Sequence, residues 1–410
     1  MNMKKKMHLV VICGQHYSVP SPTATCAERY ALLFKNEFDI DFISESVNGD
    51  EEDVELPSSI FAHTLSCRRR SIEKKTKGLV SKLMHFLGTS LLFTNLLGNQ
   101  RWYRKAAYKK LEAINHGNPI DVIFAICSPL AAIWAGIDYK KKHPQVRLCS
   151  YTVDPFSTPD RIKPFFCSRR AMLDYERKAL SLVDRCLLSE EVYNTRDDIR
   201  NGLTRCSALP YLMPPFVEYN SSTEQEVMGN STSHRIRCIY AGSFYDKIRN
   251  PEYMLKVFSQ LSNRTVELHL YSKGCDATVS KYANGVSIIE HGLVPQNELQ
   301  QNYREADVLI GVGNAVADFL PSKTFEYISQ RKPIIYFNHR ELENDVLKLY
   351  PCALQVSDAD SIDYSIGRLL DFLSDMPCPL VDSDKLMLLY QKHSPESIKR
   401  ILDNSFKDNE

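Results

Sequence analysis

Short runs of apolar, mostly β-branched residues recur along this chain, and most neighbouring runs are separated by enough amphipathic sequence for a helix. That alternation restricts the fold, because strands joined through helices pair in parallel with right-handed crossovers and are buried on both faces. In the first half the pattern predicts strands at 8–13, 39–44, 121–126, 146–152 and 185–189, with helical patterns at 25–35 and 131–142. The second half is more regular, with strands at 236–241, 266–271, 286–289, 308–312, 333–337 and 353–356 and helices opening near Pro251, Pro295, Ser322 and Ser361. Each half reads as a Rossmann-like α/β sheet. Between them, the extended, proline-rich residues 210–216 lead into a polar, apolar-poor stretch at 218–234, which reads as a linker or a loop beside it. The domains are therefore placed at 1–217 and 218–382, with a helical segment at 383–410.

A chain of 410 residues exceeds one ordinary core, which agrees with two domains. A net charge of +1 leaves no global field for nucleic acid, and no nucleic-acid partner is expected. Twelve cysteines are scattered singly without a Cys-x-x-Cys pair, a usage that fits reduced thiols and a cytoplasmic protein. The apolar run at 7–13 is too short for a signal peptide and reads as a first strand behind a basic tail. No run approaches the roughly 18 apolar residues of a membrane span. The Asn-x-Ser/Thr sites at Asn220, Asn230 and Asn263 are then chance matches.

One insertion, 68–110, interrupts the first half. Residues 68–77 carry six basic side chains and one acid, 79–97 are dominated by Leu, Phe and Met, and 101–110 add five more basic residues beside Trp102, Tyr103 and Tyr108. Basic flanks around a non-spanning apolar segment suit a helix lying on an anionic membrane surface, which would place the protein peripherally on the inner face. A helical hairpin packed on the sheet accounts for the same pattern.

The stretch 306–337 carries the chemistry. A buried strand leads through a loop to a helix opening near Ser322, and Asp318 and Glu326 flank that opening with seven residues between them. Unpaired N–H groups at a helix start attract an anion, and an acid one turn further in can accept from a neutral hydroxyl such as a ribose. The combination suggests a sugar nucleotide.

Four segments in order, GSFYDKIRNPEYMLKVF, HLYSKG, EHGLVPQNELQQNYREADVLIGVGN and LPSKTFEYISQRKPIIYF, resemble the nucleotide-sugar domain of GT-B glycosyltransferases. The similarity is to family 4, the retaining enzymes, and to its bacterial cell-surface polysaccharide members. It is dense over 235–337 and looser before. The resemblance implies two Rossmann-like α/β domains facing a cleft, with the C-terminal helix packing back on the N-terminal domain. It implies a metal-independent, retaining hexosyltransferase that needs no cofactor, its donor being a UDP- or GDP-sugar and its acceptor a glycan or lipid-linked glycan. By the same resemblance Glu326 contacts the ribose, and Asp318 stands where the family has a Glu near the reacting carbon. Asp318 is shorter by a methylene, so that contact can pass to Asn314. Residues 320–324, including Ser322, Lys323 and Thr324, cradle the diphosphate. Family members place an Arg after the glycine equivalent to Gly242 and a Lys some residues on. Here Ser243 follows the glycine, and Arg249, then Lys247, become the diphosphate clamp. Ser272 and Gly292, at strand carboxyl ends, flank the base, where His291 packs or stacks.

On the acceptor side, His16 is a candidate sugar contact, and Thr23 replaces a glycine-rich turn as a phosphate contact. Asp154 follows a strand end, where it suits an acceptor hydroxyl, a base in an inverting reaction, or an Asx turn into Pro155. Asp-x-Asp pairs at Asp39, Asp358 and Asp382 lie at a strand edge, before a helix and in the tail, and no metal is expected. Two other functions stay open: a sugar-nucleotide epimerase of the same fold, and a non-catalytic, membrane-associated partner in polysaccharide assembly.

Overall fold

In the computed structural model the described residues are 6–14, 22–45, 53–55, 60–65, 99–158, 169–219, 235–261, 266–315, 323–340, 342–374 and 380–407. His16, Asp318, Ser322 and residues 66–98 lie outside them.

Parallel pairing of two-face-buried strands builds both sheets. In the first unit, β1 (Met7–Ile12) lies between β2 (Phe38–Glu45) and β5 (Val122–Cys127), and the order is β3-β4-β2-β1-β5-β6-β7-β8. The flanking strands are β3 (Asp53–Glu55), β4 (Ile60–Leu65), β6 (Arg147–Thr152), β7 (Arg185–Ser189) and β8 (Cys206–Leu209). Only β3 runs antiparallel to its neighbour. The helices are α1 (Pro22–Leu32), α2 (Asn99–Gly117), α3 (Leu130–Lys140), α4 (Arg169–Leu180), α5 (Glu190–Thr195) and α6 (Asp197–Arg200).

Alternation along β1 divides the core. Val10 and Ile12 face α2 and α3, where Tyr103, Ala107 and Leu111 are buried, so the described end of the insertion is a core helix. Two of its cations are already paired, Arg104 with Asp138 at 2.5 Å and Lys110 with Asp53 at 3.0 Å. Leu9 and Val11 face the opposite layer with Phe34, Phe124 and Phe406. Phe406 belongs to α14 (Pro395–Lys407), whose Ile398, Leu402 and Phe406 recur at helical spacing and enter this core. Each such side chain contributes about 1.5–3 kcal/mol by burial. The last helix thus packs on the N-terminal sheet, as the resemblance implied.

The second unit has β9 (Ile236–Ser243), β10 (Val266–Lys273), β11 (Ile288–Glu290), β12 (Val308–Val312), β13 (Ile334–Asn338) and β14 (Ala353–Ser357) in the order β11-β10-β9-β12-β13-β14, all parallel. Its helices are α7 (Glu252–Gln260), α8 (Asp276–Tyr282), α9 (Gln296–Glu305), α10 (Lys323–Ser329), α11 (Asp345–Lys348), α12 (Ile362–Ser374) and α13 (Ser383–Leu389). The connections reverse direction between β9 and β12, which is the switch point where such sheets take ligands at their carboxyl edge.

The compact units are Met1–Leu212 with Lys392–Glu410, and Met213–Gln391. The chain passes between them after 212 and again after 391, where the sequence reading set 217 and 382. Strands β3, β4 and β8 were not anticipated.

Candidate donor site

At the switch point of the second unit, β9 ends through Gly242, whose φ of +152° is one that side-chain-bearing residues rarely adopt. A Cβ there would stand 3.3 Å from the Tyr240 hydroxyl. The chain then turns back on itself: Tyr245 N donates to Arg249 O at 3.1 Å and Arg249 N to Tyr245 O at 2.8 Å. This turn returns Arg249 to the strand end. Its Nε donates to Asn314 Oδ1 at 3.0 Å and its Nη1 to Ser243 O at 3.4 Å. Ala315 N donates to Ile248 O at 2.6 Å, so the loops after β9 and β12 are tied together by backbone as well as side chain. The guanidinium shares a narrow crevice with Tyr240, Tyr336, Lys323 and Thr324. Burial pushes both phenols up to about 12, against the pull of the Arg249 charge, so both stay protonated and neutral.

The opposite wall is α10. Lys323 Nζ donates to Glu326 Oε2 at 2.6 Å and to the Tyr303 hydroxyl at 3.3 Å. The pair is mostly shielded, with side-chain exposures of 25% and 15%. Tyr327 fastens the helix to the sheet: its hydroxyl accepts from Ala241 N at 3.0 Å and donates to Ala241 O at 3.3 Å. Thr324 lines the same crevice as a buried residue, and its Oγ1 accepts from Asn344 Nδ2 at 3.0 Å.

The remaining predicted residues separate. Ser272 is buried opposite Gly242 in the β9–β10 register. Gly292 follows β11 with φ +71°. Beside it the His291 ring lies 7° from parallel to Tyr271 with centroids 4.5 Å apart, and its Nε2 meets His269 Nδ1 at 2.9 Å. Burial, with the Arg237 charge, lowers the His291 pKa, which favours a neutral stacking ring over a charged one. Lys247 is not brought to the Arg249 crevice. In the 245–249 turn it faces a separate cavity of about 340 Å³ shared with Asp246, Tyr253, His339 and Asp358. Asp358 is spent on that loop, accepting from His339 Nδ1 and Arg340 N at 2.7 Å each, and Asp382 caps α13 by accepting from Lys385 N at 2.8 Å.

In the first unit, Thr23 is buried in the first turn of α1, which leaves little of it for a phosphate. Asp154 follows β6 at the carboxyl edge, on a loop held from behind. The buried Glu176 accepts from Phe156 N at 2.7 Å and Ser157 N at 3.0 Å, and Arg196 donates to Ser157 Oγ at 3.0 Å. Burial raises the Glu176 pKa despite those bonds.

The sequence reading missed Tyr240, Tyr303, Tyr327, Tyr336 and Asn344. All five are buried; Tyr240 and Tyr336 lie in strands, Tyr303 and Tyr327 in helices and Asn344 at a helix N-cap, and their aromatic or amide type was the available signal.

No family model matches the chain, and no curated protein matches it by sequence. Solved structures do match across its whole length. A sucrose-phosphate synthase from Thermosynechococcus elongatus gives a TM-score of 0.68 at 12% identity, covering 98% of this chain and 99% of its own. A UDP-forming alpha,alpha-trehalose-phosphate synthase from Burkholderia xenovorans, in complex with glucose-6-phosphate, gives 0.62 at 15% identity, covering 98% and 99%. The catalytic domain of starch synthase IV from Arabidopsis thaliana, bound to ADP and acarbose, gives 0.58 at 10% identity with the same coverages. The chain therefore has a GT-B fold. At these identities the likeness is one of fold.

Proposed function

We propose that the chain is a glycosyltransferase that moves a hexosyl group from a UDP- or GDP-sugar to an acceptor hydroxyl with retention of configuration, without a metal. The observation that carries this reading is Arg249, held by Asn314 at the meeting of the β9 and β12 carboxyl ends, across the crevice from the Lys323–Glu326 pair. The bond from the anomeric carbon to the diphosphate breaks, and its electron pair goes to the departing phosphate oxygen. Arg249 and Lys323 stabilise the charge that grows there, and fixed cations lower a barrier because they bind the transition state more strongly than the substrate. The departing oxygen takes the acceptor's proton as the acceptor oxygen bonds to the same face of the carbon. Glu326 accepts from the ribose, and His291 lies beside the base.

Two kinds of support differ in reach. The structural neighbours include enzymes described as UDP-forming, one of them with a sugar phosphate bound, which favours UDP and a phosphorylated or otherwise polar acceptor. Family 4 membership, a lipid-linked acceptor and a role in polysaccharide synthesis rest on the sequence motifs.

The test is a panel of UDP-, GDP- and ADP-sugars incubated with glucose-6-phosphate or a lipid-linked glycan, read by release of nucleoside diphosphate. NMR of the product reports its anomeric configuration. Retention with Arg249-dependent release supports the proposal. A new epimer formed without acceptor would replace it with the epimerase, and failure of every nucleotide to bind by calorimetry would replace it with the non-catalytic partner.

A further inference from the structure

Strands β7 and β8 pair in parallel with Cys186 in register with Cys206. Adjacent strands lie about 4.7–4.9 Å apart, and the Cα atoms of a disulfide usually lie about 4.4–6.8 Å apart, so the register alone brings the two residues within bridging range. Both side chains face the same layer: Cys186 is buried in the cluster with Leu188, Val192 and Ile199, and Cys206 packs against that cluster from its rim. Their access to solvent differs. Cys186 is 2% exposed, whereas Cys206 is partly exposed on β8, the edge strand of the sheet.

We propose that Cys206 and Cys186 form a peroxide-reactive pair, with Cys206 as the attacking thiolate and Cys186 as the resolving thiol, closing a reversible disulfide between β7 and β8. The electrostatics agree with this division of labour. The Cys206 pKa is lowered, first by a hydrogen bond from Cys186 and further by the Arg200 charge, against its own burial, and the buried Cys186 is raised. A lowered pKa on the accessible thiol marks the sulfur that reacts first. Two other described thiols are disfavoured: burial pushes Cys149 up to about 12, and Cys275 is pushed up to about 12 by burial and by Asp246.

The chemistry balances with a hydroperoxide as oxidant. The Cys206 sulfur attacks one peroxide oxygen, the S–O bond forms as the O–O bond breaks, and the departing hydroxide leaves as water after taking a proton. Cys206 is then a sulfenic acid, oxidised by two electrons. The Cys186 sulfur attacks the sulfenyl sulfur, the S–S bond forms as the S–O bond breaks, and the hydroxide leaves as water with the Cys186 proton. Two thiols and one hydrogen peroxide give one disulfide and two waters, and an external dithiol reverses the step. The bond would staple the last strand of the first unit, at Cys206, seven positions before the chain enters the second at Met213. It is independent of the proposed activity.

The full chain is treated with hydrogen peroxide, its remaining thiols are blocked with N-ethylmaleimide in denaturant, and it is digested without reduction for mass spectrometry. The expected result is a cross-linked peptide pair containing Cys186 and Cys206, lighter by two hydrogens and lost on dithiothreitol treatment. In Cys186→Ser the cross-link vanishes and Cys206 becomes trappable by dimedone, whereas in Cys206→Ser the Cys186 thiol remains alkylatable. Wild-type mapping decides the matter even if either variant misfolds. Cys206 carried to sulfinic acid without a cross-link, bridged to a different cysteine, or left reduced while other cysteines oxidise would overturn the proposal.

Discussion

Replacing Arg249 by Met is the sharpest test of the donor site, because Met retains much of the aliphatic packing while removing the charge. The structural cost is the loss of a hydrogen bond of 3.0 Å to Asn314, a weak one of 3.4 Å to Ser243 and the contact with the Tyr240 hydroxyl, in a half-buried setting. At a net value of about 1 kcal/mol for an ordinary hydrogen bond, the variant should melt only a few degrees below wild type. The catalytic cost is larger. Removing one preorganised group that meets developing charge lowers kcat by about 10²–10³-fold, or about 2.7–4 kcal/mol. The expected result is therefore a folded protein whose nucleoside diphosphate release falls by that factor, mainly in kcat. Arg249→Lys keeps the charge but not the fork and should fall between. Asn314→Ala acts on Arg249 rather than on the donor, so its effect should be roughly tenfold and should vanish in the Arg249→Met background. A folded Arg249→Met enzyme within threefold of wild-type kcat would refute the assignment of the leaving-group cation.

Three further outcomes are expected. Glu326→Gln should weaken nucleoside diphosphate binding by about 1.5–3 kcal/mol, the range for hydrogen bonds to charged groups, while pyrophosphate, which has no ribose, loses none of that increment in calorimetry. Gly242→Ala forces an unfavourable backbone angle and a 3.3 Å contact onto Tyr240, and should lower the melting temperature by the equivalent of about 1–2 kcal/mol together with donor affinity. The third concerns the partly buried network in which Asp41 holds His8 Nε2 at 2.6 Å and His63 Nε2 at 2.8 Å, with the exposed Asp53 at 2.8 Å on His63 Nδ1. Burial lowers both imidazole pKa values, but the carboxylates more than reverse it and both end raised, while Asp41 and Asp53 end lowered despite burial. The imidazole contribution is complete below about pH 6.5 and is lost as pH rises through the raised values, and the carboxylate contribution is complete above about pH 4 and is lost as pH falls through the lowered ones. Melting temperature should therefore be highest between about pH 4 and 6.5 and decline above it, and Asp41→Asn should flatten that decline.

What could be read from the chain follows from how local each signal is. The strands at 8–13, 121–126 and 308–312 were legible because burial on both faces leaves uninterrupted apolar runs. Strand β4, IFAHTL, was not, because His63 sits inside it and Asp41 and Asp53 on neighbouring strands make a half-buried histidine tolerable there. Residues 101–110 read either as the basic rim of a membrane-binding segment or as part of a hairpin packed on the sheet, and the acids that pair with Arg104 and Lys110 are Asp138 and Asp53, distant in sequence and recruited by packing. In the donor site, Glu326 and Arg249 stood out by motif. Tyr327 did not, since its role lies in two bonds to Ala241, 86 positions earlier. Lys247 and Arg249 are two residues apart and read as one clamp, but a tight turn sends them to different cavities.

That separation alters how donor recognition has to work. With Lys247 elsewhere, the crevice holds Arg249 and a Lys323 already paired with the acid meant for the ribose. A phosphate arriving alone draws Lys323 away and leaves Glu326 shielded without its cation. A nucleoside arriving alone does the reverse. Either loss offsets part of the gain, because a partly buried charge deprived of its partner is costly. On the proposed function, a nucleoside diphosphate meets both groups at once, its phosphate on Lys323 and its ribose hydroxyls on Glu326, so that neither group loses its partner without gaining another. The pair would, on the proposed function, therefore discriminate by requiring both halves of the ligand. Binding of the whole nucleotide should exceed the sum of the free energies of pyrophosphate and nucleoside by more in wild type than in a Lys323→Met/Glu326→Gln double variant. Equal excesses in the two proteins would mean that the pair is only a surface contact of α10.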